Sequence, residues 1–344
     1  MIDEYKSLET KSDSQTLLQD ILSKEVEDPD EINCIFQNYF FQIVQLDQSQ
    51  MYSDEIPLYQ DLIIILSQFK ELDFTKLYEL DLFTIFYNFV NFFIEDNYYK
   101  ASKLISTVIK QMFIHLRAPF AENFTSTPLC QLFVSNLNIP IFTLFSVIVG
   151  DSEKINQDLT NFGLLDNIDD DGDDLDFRRT KFLFYSNYIN TCDLSDDFSD
   201  CKFVVDKCVE HVFEEDDDEC YDLRIRGICR SMERSKEMTD ILVQHDIIGY
   251  VNVTLTTEQK YQRILQCLQV LEIVTFNPTD VCKEQLMEKL SLDELLQKLN
   301  ISDEFFSVKI GKLVWNCIIN LLSYDDHIFD LQKYVDCMLP QLII

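Results

Sequence analysis

Glycine and proline are scarce in this chain, at 6 and 7 among 344 residues. A sheet-rich fold needs Gly, Asn-Gly and Pro at many tight turns, and a phosphate-cradling loop needs Gly for close backbone approach. Their shortage points to helices joined by short polar connections. Positive charge is also short: 28 Lys and Arg stand against 61 Asp and Glu, a net charge of -33. Such a field repels nucleic acid and anionic membrane surfaces and complements a basic protein. It also keeps an apolar chain soluble. Histidine occurs only at His115, His211, His245 and His327, none within a nucleophile or metal motif. The longest apolar run, about 139–149, is too short to span a bilayer and contains Pro140. Met1 to Ser14 is charged and polar, so neither a secretory signal nor a transit peptide is expected. The 11 cysteines are odd in number and include no CxxC pair. Several, such as Cys267, Cys317 and Cys337, fall at apolar positions of expected helices. Reduced core thiols in the cytosol or nucleus are therefore expected.

Apolar residues make up 47% of the chain, with 27 Phe and 15 Tyr, which is ample material for a core. They recur at helical spacing. Ile32, Phe36, Phe40, Ile43 and Val44 form one stripe; Leu62, Ile65, Leu66 and Phe69 form another. Leu82, Ile85, Phe86, Phe89, Val90 and Phe93 form a third, and Leu104, Val108, Met112 and Ile114 a fourth. Residues 1–30 read as a flexible acidic and polar leader, and 31–344 as a single helical repeat domain. Three acidic segments interrupt it. The first holds Asp169, Asp170, Asp171, Asp173, Asp174 and Asp176, the second spans Asp193 to Asp200, and the third is Glu214, Glu215, Asp216, Asp217, Asp218 and Glu219. Blocks this dense repel themselves and are expected on the surface, where they form a candidate acidic patch.

Internal repetition carries the fold reading. Cys267, Leu271 and Val274 fall at i, i+4 and i+7, and the same spacing returns at Ile225, Cys229 and Met232 and at Val314, Ile318 and Leu321. Leu144 to Asp151 is a further copy. The phrases Ile248-Gly249-Tyr250-Val251 and Gly163-Leu164-Leu165, with ends at Asn320-Leu321 and Gly150-Asp151, resemble armadillo repeats. The likeness covers about residues 130–325 and, more faintly, 57–118. Leu159 to Ile168 is read as a second helix. Third helices about 45 residues apart also admit HEAT-like units. The resemblance implies an all-α, right-handed α-solenoid whose third helices line a groove for extended peptides or helices.

Nuclear import adaptors of this fold carry groove Trp and Asn residues. The corresponding slots here hold Phe142 and Ser146, Leu183 and Asn187, Gly227 and Ser231, Gln269 and Ile273, then Asn316 and Asn320. Trp315 is one residue out of register, which disfavours an import adaptor. Asn187, Gln269, Asn316 and Asn320 remain the candidate groove residues, since amides can bond the backbone of an extended ligand. Asn167 to Arg178 has the look of a calcium loop with Gly172 at its sixth position, but Arg178 stands where a bidentate Glu is required. Cys201, Cys208, His211 and Cys220 lie along expected helices, which suits core thiols better than a zinc site. Arg224, Arg226, Arg230 and Arg234 follow the third acidic run and are expected to neutralise it; the alternative is an Arg-lined groove segment that clamps an acidic motif. No cofactor, metal or catalytic residue is expected. The expected function is that of a monomeric, non-enzymatic scaffold or adaptor in the cytosol or nucleus. The alternative is an acidic chaperone-type escort for a basic client such as a histone, a ribosomal protein or nuclear-import cargo.

Overall fold

The computed structural model describes residues 82–92, 94–95, 98–168, 174–192, 199–276, 278–298 and 304–323. The leader, the first two stripes, Asp169, Asp170, Asp171, Asp173 and most of the second acidic segment lie outside them. Among the described residues there are helices and turns and no strand. Backbone contacts group the chain into two compact units, Met1–Phe184 and Tyr185–Ile344.

The first unit contains α1 (Leu82–Phe92), α2 (Tyr98–Thr125), α3 (Pro128–Ser135), α4 (Ile139–Ile148) and α5 (Glu153–Asn161). Each short helix starts at a polar cap. Thr127, Asn138 and Ser152 accept from the backbone N–H groups of Cys130, Ile141 and Ile155, and Pro128 and Pro140 stand in first turns where no donor is lost. Helix α2 kinks at Arg117, whose φ is 58° two residues before Pro119. Phe124 packs against Phe133 and Phe145 with ring centroids 6.3 and 6.5 Å apart. Phe113 is buried while Ile114 is 44% exposed, so the fourth expected stripe ends on Phe113. Gly163, at φ 78°, ends α5; Leu164 N–H donates to Leu159 C=O as the chain turns. This corrects the expectation of one helix over Leu159–Ile168: the segment is a helix end, a left-handed glycine and a short 3-10 turn at Leu165–Asn167.

Helix α6 (Leu175–Thr191) carries the unit boundary. The second unit continues with α7 (Ser199–Val209), α8 (Asp218–Arg234), α9 (Lys236–Gln244), α10 (Ile247–Thr257), α11 (Tyr261–Phe276), α12 (Asp280–Lys289), α13 (Leu292–Gln297) and α14 (Glu304–Leu322). The long helices α6, α8, α11 and α14 start at Leu175, Asp218, Tyr261 and Glu304, each 43 positions after the last. Two shorter helices precede both α11 and α14. Three helices per step of this length is the armadillo layout. The chain is an all-α solenoid of armadillo-like repeats.

The stripes read from the sequence form the interface between neighbouring long helices. Cys267, Leu271 and Val274 on α11 and Val314, Ile318 and Leu321 on α14 are all buried. Each large apolar side chain removed from water contributes roughly 1.5 to 3 kcal/mol. No helix among the described residues is long and apolar enough to cross a membrane.

Candidate binding groove

The 43-residue step puts side chains of consecutive long helices into columns. One column runs Asn187, Arg230, Ile273 and Asn316. The next, one helical turn nearer the helix starts, holds Arg226, Gln269 and Lys312. A third holds Glu233, Phe276 and Ile319. Phe276 is 77% exposed and Ile319 60%, so this face is open.

Polar bonds at similar sequence separation stitch the columns together. Arg230 donates to Ser186 C=O at 2.7 Å, to Ser186 Oγ at 3.0 Å and to Asn187 Oδ1 at 3.2 Å. Gln266 donates to Asp222 at 2.5 Å, Asn316 to Glu272 at 2.5 Å and Asn320 to Thr275 Oγ1 at 3.2 Å. Asn187, Asn316 and Asn320 thus join one long helix to its neighbour. Gln269 is the exposed member of the expected four.

Two adjoining clefts open between α8 and α11. One, of about 480 Å³, is lined by Arg226, Arg230, Glu233, Gln262, Gln269 and Glu272 among others. The other, of about 520 Å³, shares Glu233, Glu272 and Ile273 and extends to Lys236 and Phe276. The lining is mixed in charge with amides between the charges. It can satisfy backbone N–H and C=O groups and hold side chains of either sign.

The register of the expected slots needs correction on α4 and α8. Phe142, Ser146, Gly227 and Ser231 are buried against neighbouring helices. On α8 the open face is displaced by one residue, to Arg226 and Arg230. A Cβ added to Gly227 would lie 3.0 Å from Cys208 Sγ and 3.3 Å from Ile189 Cδ1, so this slot is a point of close helix approach. Trp315 takes the position that Glu272 holds on α11, which puts it on the groove side by the 43-residue step. Gln262, Glu233 and Glu272 were missed. The signal that finds them is the constant step between helix starts.

The third acidic run is built into the fold more than its composition suggests. Glu215 is buried and pairs with buried Arg224 at 3.2 Å, which corrects the expectation that no part of the run is core. Burial lowers the Arg224 pKa from its ordinary value, and Cys208 and Glu215 oppose that shift. Asp217 caps α8 by accepting from Cys220 N–H at 2.9 Å. Asp218 pairs with Lys260 and Arg263, each at 2.8 Å. Those hydrogen bonds, Lys260 first, hold the Asp218 carboxyl below its ordinary pKa. Exposed Glu214 pairs with His211 at 3.1 Å. Asp216 C=O accepts from Arg263, and Glu219 lies in the first turn of α8. Asp174, from the first run, caps α6 by accepting from Asp176 and Phe177 N–H, and Asp176 lies in that first turn.

The arginines divide their work. Arg224 neutralises Glu215, and Arg226 pairs with Asp222 on its own helix. Arg234 donates to Ile189 C=O and, at 2.8 Å, to Cys192 C=O. Cys201, Cys208 and Cys220 are buried. Burial pushes the Cys208 thiol up to about 12. His245 pairs with Asp206 at 3.1 Å. Asn167 donates to Val134 C=O at 3.3 Å.

No protein-family model matches the chain, and no curated protein matches it. Solved structures do. An engineered protein from the Northeast Structural Genomics Consortium aligns with a TM-score of 0.65 at 12% identity, over 94% of this chain and 77% of its own. A second engineered protein from the same consortium aligns at 0.51 and 11% identity, over 69% of this chain and 96% of its own. A designed armadillo repeat protein aligns at 0.43 and 11% identity, over 80% of this chain and 98% of its own. At these identities the likeness concerns the fold.

Proposed function

We propose that the protein is a non-enzymatic scaffold or adaptor that binds an extended segment of another protein along the α8–α11–α14 face. The two open clefts between α8 and α11 carry this reading, because amides and charges that line them belong to columns that continue onto α14 at the repeat step. An extended backbone passing such columns meets an amide or charged group at each repeat, while its own side chains enter the clefts. Asp222, Glu233 and Glu272 offer carboxylates to basic side chains beside Arg226 and Arg230, and the net charge of -33 over the whole chain favours the arrival of a basic segment. The alternative, an acidic escort for a basic client, draws support from the same net charge. It is weakened at Glu214–Glu219, where Glu215 is buried in an ion pair, Asp217 caps α8 and Asp218 is already paired with Lys260 and Arg263. Nine free cysteines among the described residues suit a reducing compartment, the cytosol or nucleus.

Fluorescence anisotropy with basic, neutral and acidic extended peptides tests this reading. The basic set is expected to bind. Gln269→Ala with Glu233→Ala should weaken binding by about 1 kcal/mol per lost hydrogen bond, and more where the bond is charge-assisted. Equal affinity in the wild type and the double variant would remove this face as the binding surface. Binding that survives the double variant but collapses as salt rises would favour the escort.

A further inference from the structure

Cys192 follows the last residue of α6, and Cys201 lies in the first turn of α7. Their thiols are hydrogen-bonded to each other. Arg234, the last residue of α8, places NH1 3.2 Å from Cys192 Sγ, while its NH2 donates to Cys192 C=O at 2.8 Å. The guanidinium is therefore fixed against this sulfur by two bonds to the same residue. Arg234 also lines the 520 Å³ cleft, so the group holding the sulfur is open to solvent on its other side.

The two thiols differ in environment. At Cys192 the hydrogen bond from Cys201 and the charge of Arg234 outweigh burial and lower the pKa. At Cys201 the bond to Cys192 and burial raise it. The remaining described cysteines with a shifted pKa, Cys130, Cys208, Cys229, Cys267, Cys282 and Cys317, are all raised, with burial the largest cause. A sulfur held against a guanidinium, with a second thiol beside it, is the arrangement of an attacking and a resolving cysteine.

We propose that Cys192, Cys201 and Arg234 form a peroxide-sensitive site that closes to a Cys192–Cys201 disulfide. The oxidant is hydrogen peroxide. The Cys192 thiolate attacks one peroxide oxygen; the S–O bond forms, the O–O bond breaks, and the departing hydroxide takes a proton to become water. Cys201 then gives up its proton and its sulfur attacks Cys192 sulfur. The S–S bond forms, the S–O bond breaks, and the second hydroxide leaves as water with that proton. Two thiols lose two electrons together, and one peroxide becomes two waters. Both residues are almost fully buried, at 3% and 2% exposure. The reaction therefore proceeds through opening of the α6 end, where the last turn of a helix yields most easily.

The test exposes the folded full-length chain to equimolar hydrogen peroxide, blocks remaining thiols by alkylation, and maps non-reduced peptides by mass spectrometry. A Cys192–Cys201 disulfide is expected before oxidation at Cys208 or Cys282. In Cys201→Ser, dimedone should trap a sulfenic acid at Cys192. Arg234→Gln should slow oxidation about tenfold, and Arg234→Lys should restore part of the rate by returning the charge. Circular dichroism verifies that each variant is folded. If Arg234 variants do not fold, the wild type and Cys201→Ser still decide. Oxidation of Cys192 no faster than that of Cys208 and Cys282 would overturn the proposal, as would a Cys201→Ser chain that dimedone labels elsewhere.

Discussion

Glu215 and Arg224 form an ion pair at 3.2 Å with side chains only 3% and 6% exposed, the guanidinium also donating from Nε to Cys208 C=O at 3.0 Å. The pair ties the turn before α8 to α8 itself and to the end of α7. Neither charge has water to fall back on, so its worth shows when one partner is removed.

Glu215→Ala is expected to destabilise the protein by about 3 kcal/mol, because buried Arg224 loses its carboxylate partner. Thermal or urea unfolding measures it. Glu214→Ala at the exposed neighbour should change stability by less than about 0.5 kcal/mol. Equal effects at the two positions would show that the run acts only through net charge.

Gly227→Val should cost about 1 to 3 kcal/mol by overpacking. A Cβ alone already meets Cys208 Sγ at 3.0 Å, and the added methyl groups have Ile189 and Ser186 beside them. Gly311, whose Cβ would meet nothing within 4 Å, is the control and should accept Ala without loss. Equal unfolding midpoints for the two variants would contradict the close approach of α8 to α6 and α7.

Asp174→Ala is expected to cost about 1 kcal/mol, since it removes the acceptor for Asp176 and Phe177 N–H at the start of α6. Asp174→Asn keeps an acceptor and should be nearly neutral. Both variants remove one negative charge, so a difference between them isolates the cap from the field of the acidic run. Denaturant midpoints of the pair read it directly.

Asp218 gives the stability a pH dependence in the acid range. Its folded pKa is held below its ordinary value, so the contribution is fully present above about pH 4 and is lost as pH falls through the folded value. The carboxylate is exposed, so the contribution is small and screened by salt. Asp218→Asn should flatten the stability curve slightly below pH 4 and leave it unchanged in shape above pH 5. A loss confined to neutral pH would assign the effect to another group.

Cutting the chain at residue 235 should leave neither piece folded as it is in the whole. The cut separates α8 from α11, which pack together and share the Tyr221–Cys267 hydrogen bond at 3.2 Å and the Arg263 guanidinium over the Tyr221 ring. Expression of 1–235 and 236–344 tests it, with cooperative unfolding as the readout. Two soluble, cooperative fragments would show separate domains and end the idea of one array over 31–344.

The sequence by itself determined the helical class and the stripes. Scarce glycine and proline leave helices as the economical arrangement, and i, i+4, i+7 spacing survives whatever packs against it. Cys267, Leu271, Val274, Val314, Ile318 and Leu321 are buried as that spacing requires. The helix caps are local as well, since Thr127, Asn138, Ser152 and Ser235 act within a few residues, but none of them was read as a cap from the sequence. Groove register was not legible. A stripe shows which side of a helix is apolar, but the open side depends on the angle at which the neighbouring helix approaches. Packing against neighbouring helices buries Gly227 and Ser231 and leaves Arg226 and Arg230 lining the cleft. The acidic run was misjudged at one residue for a similar reason. Composition shows that Glu214–Glu219 repels itself on average, while only the tertiary structure brings Arg224 round to Glu215, nine residues along. The Cys192–Cys201–Arg234 cluster was invisible in the same way, because the fold brings Arg234 42 residues along the chain to Cys192.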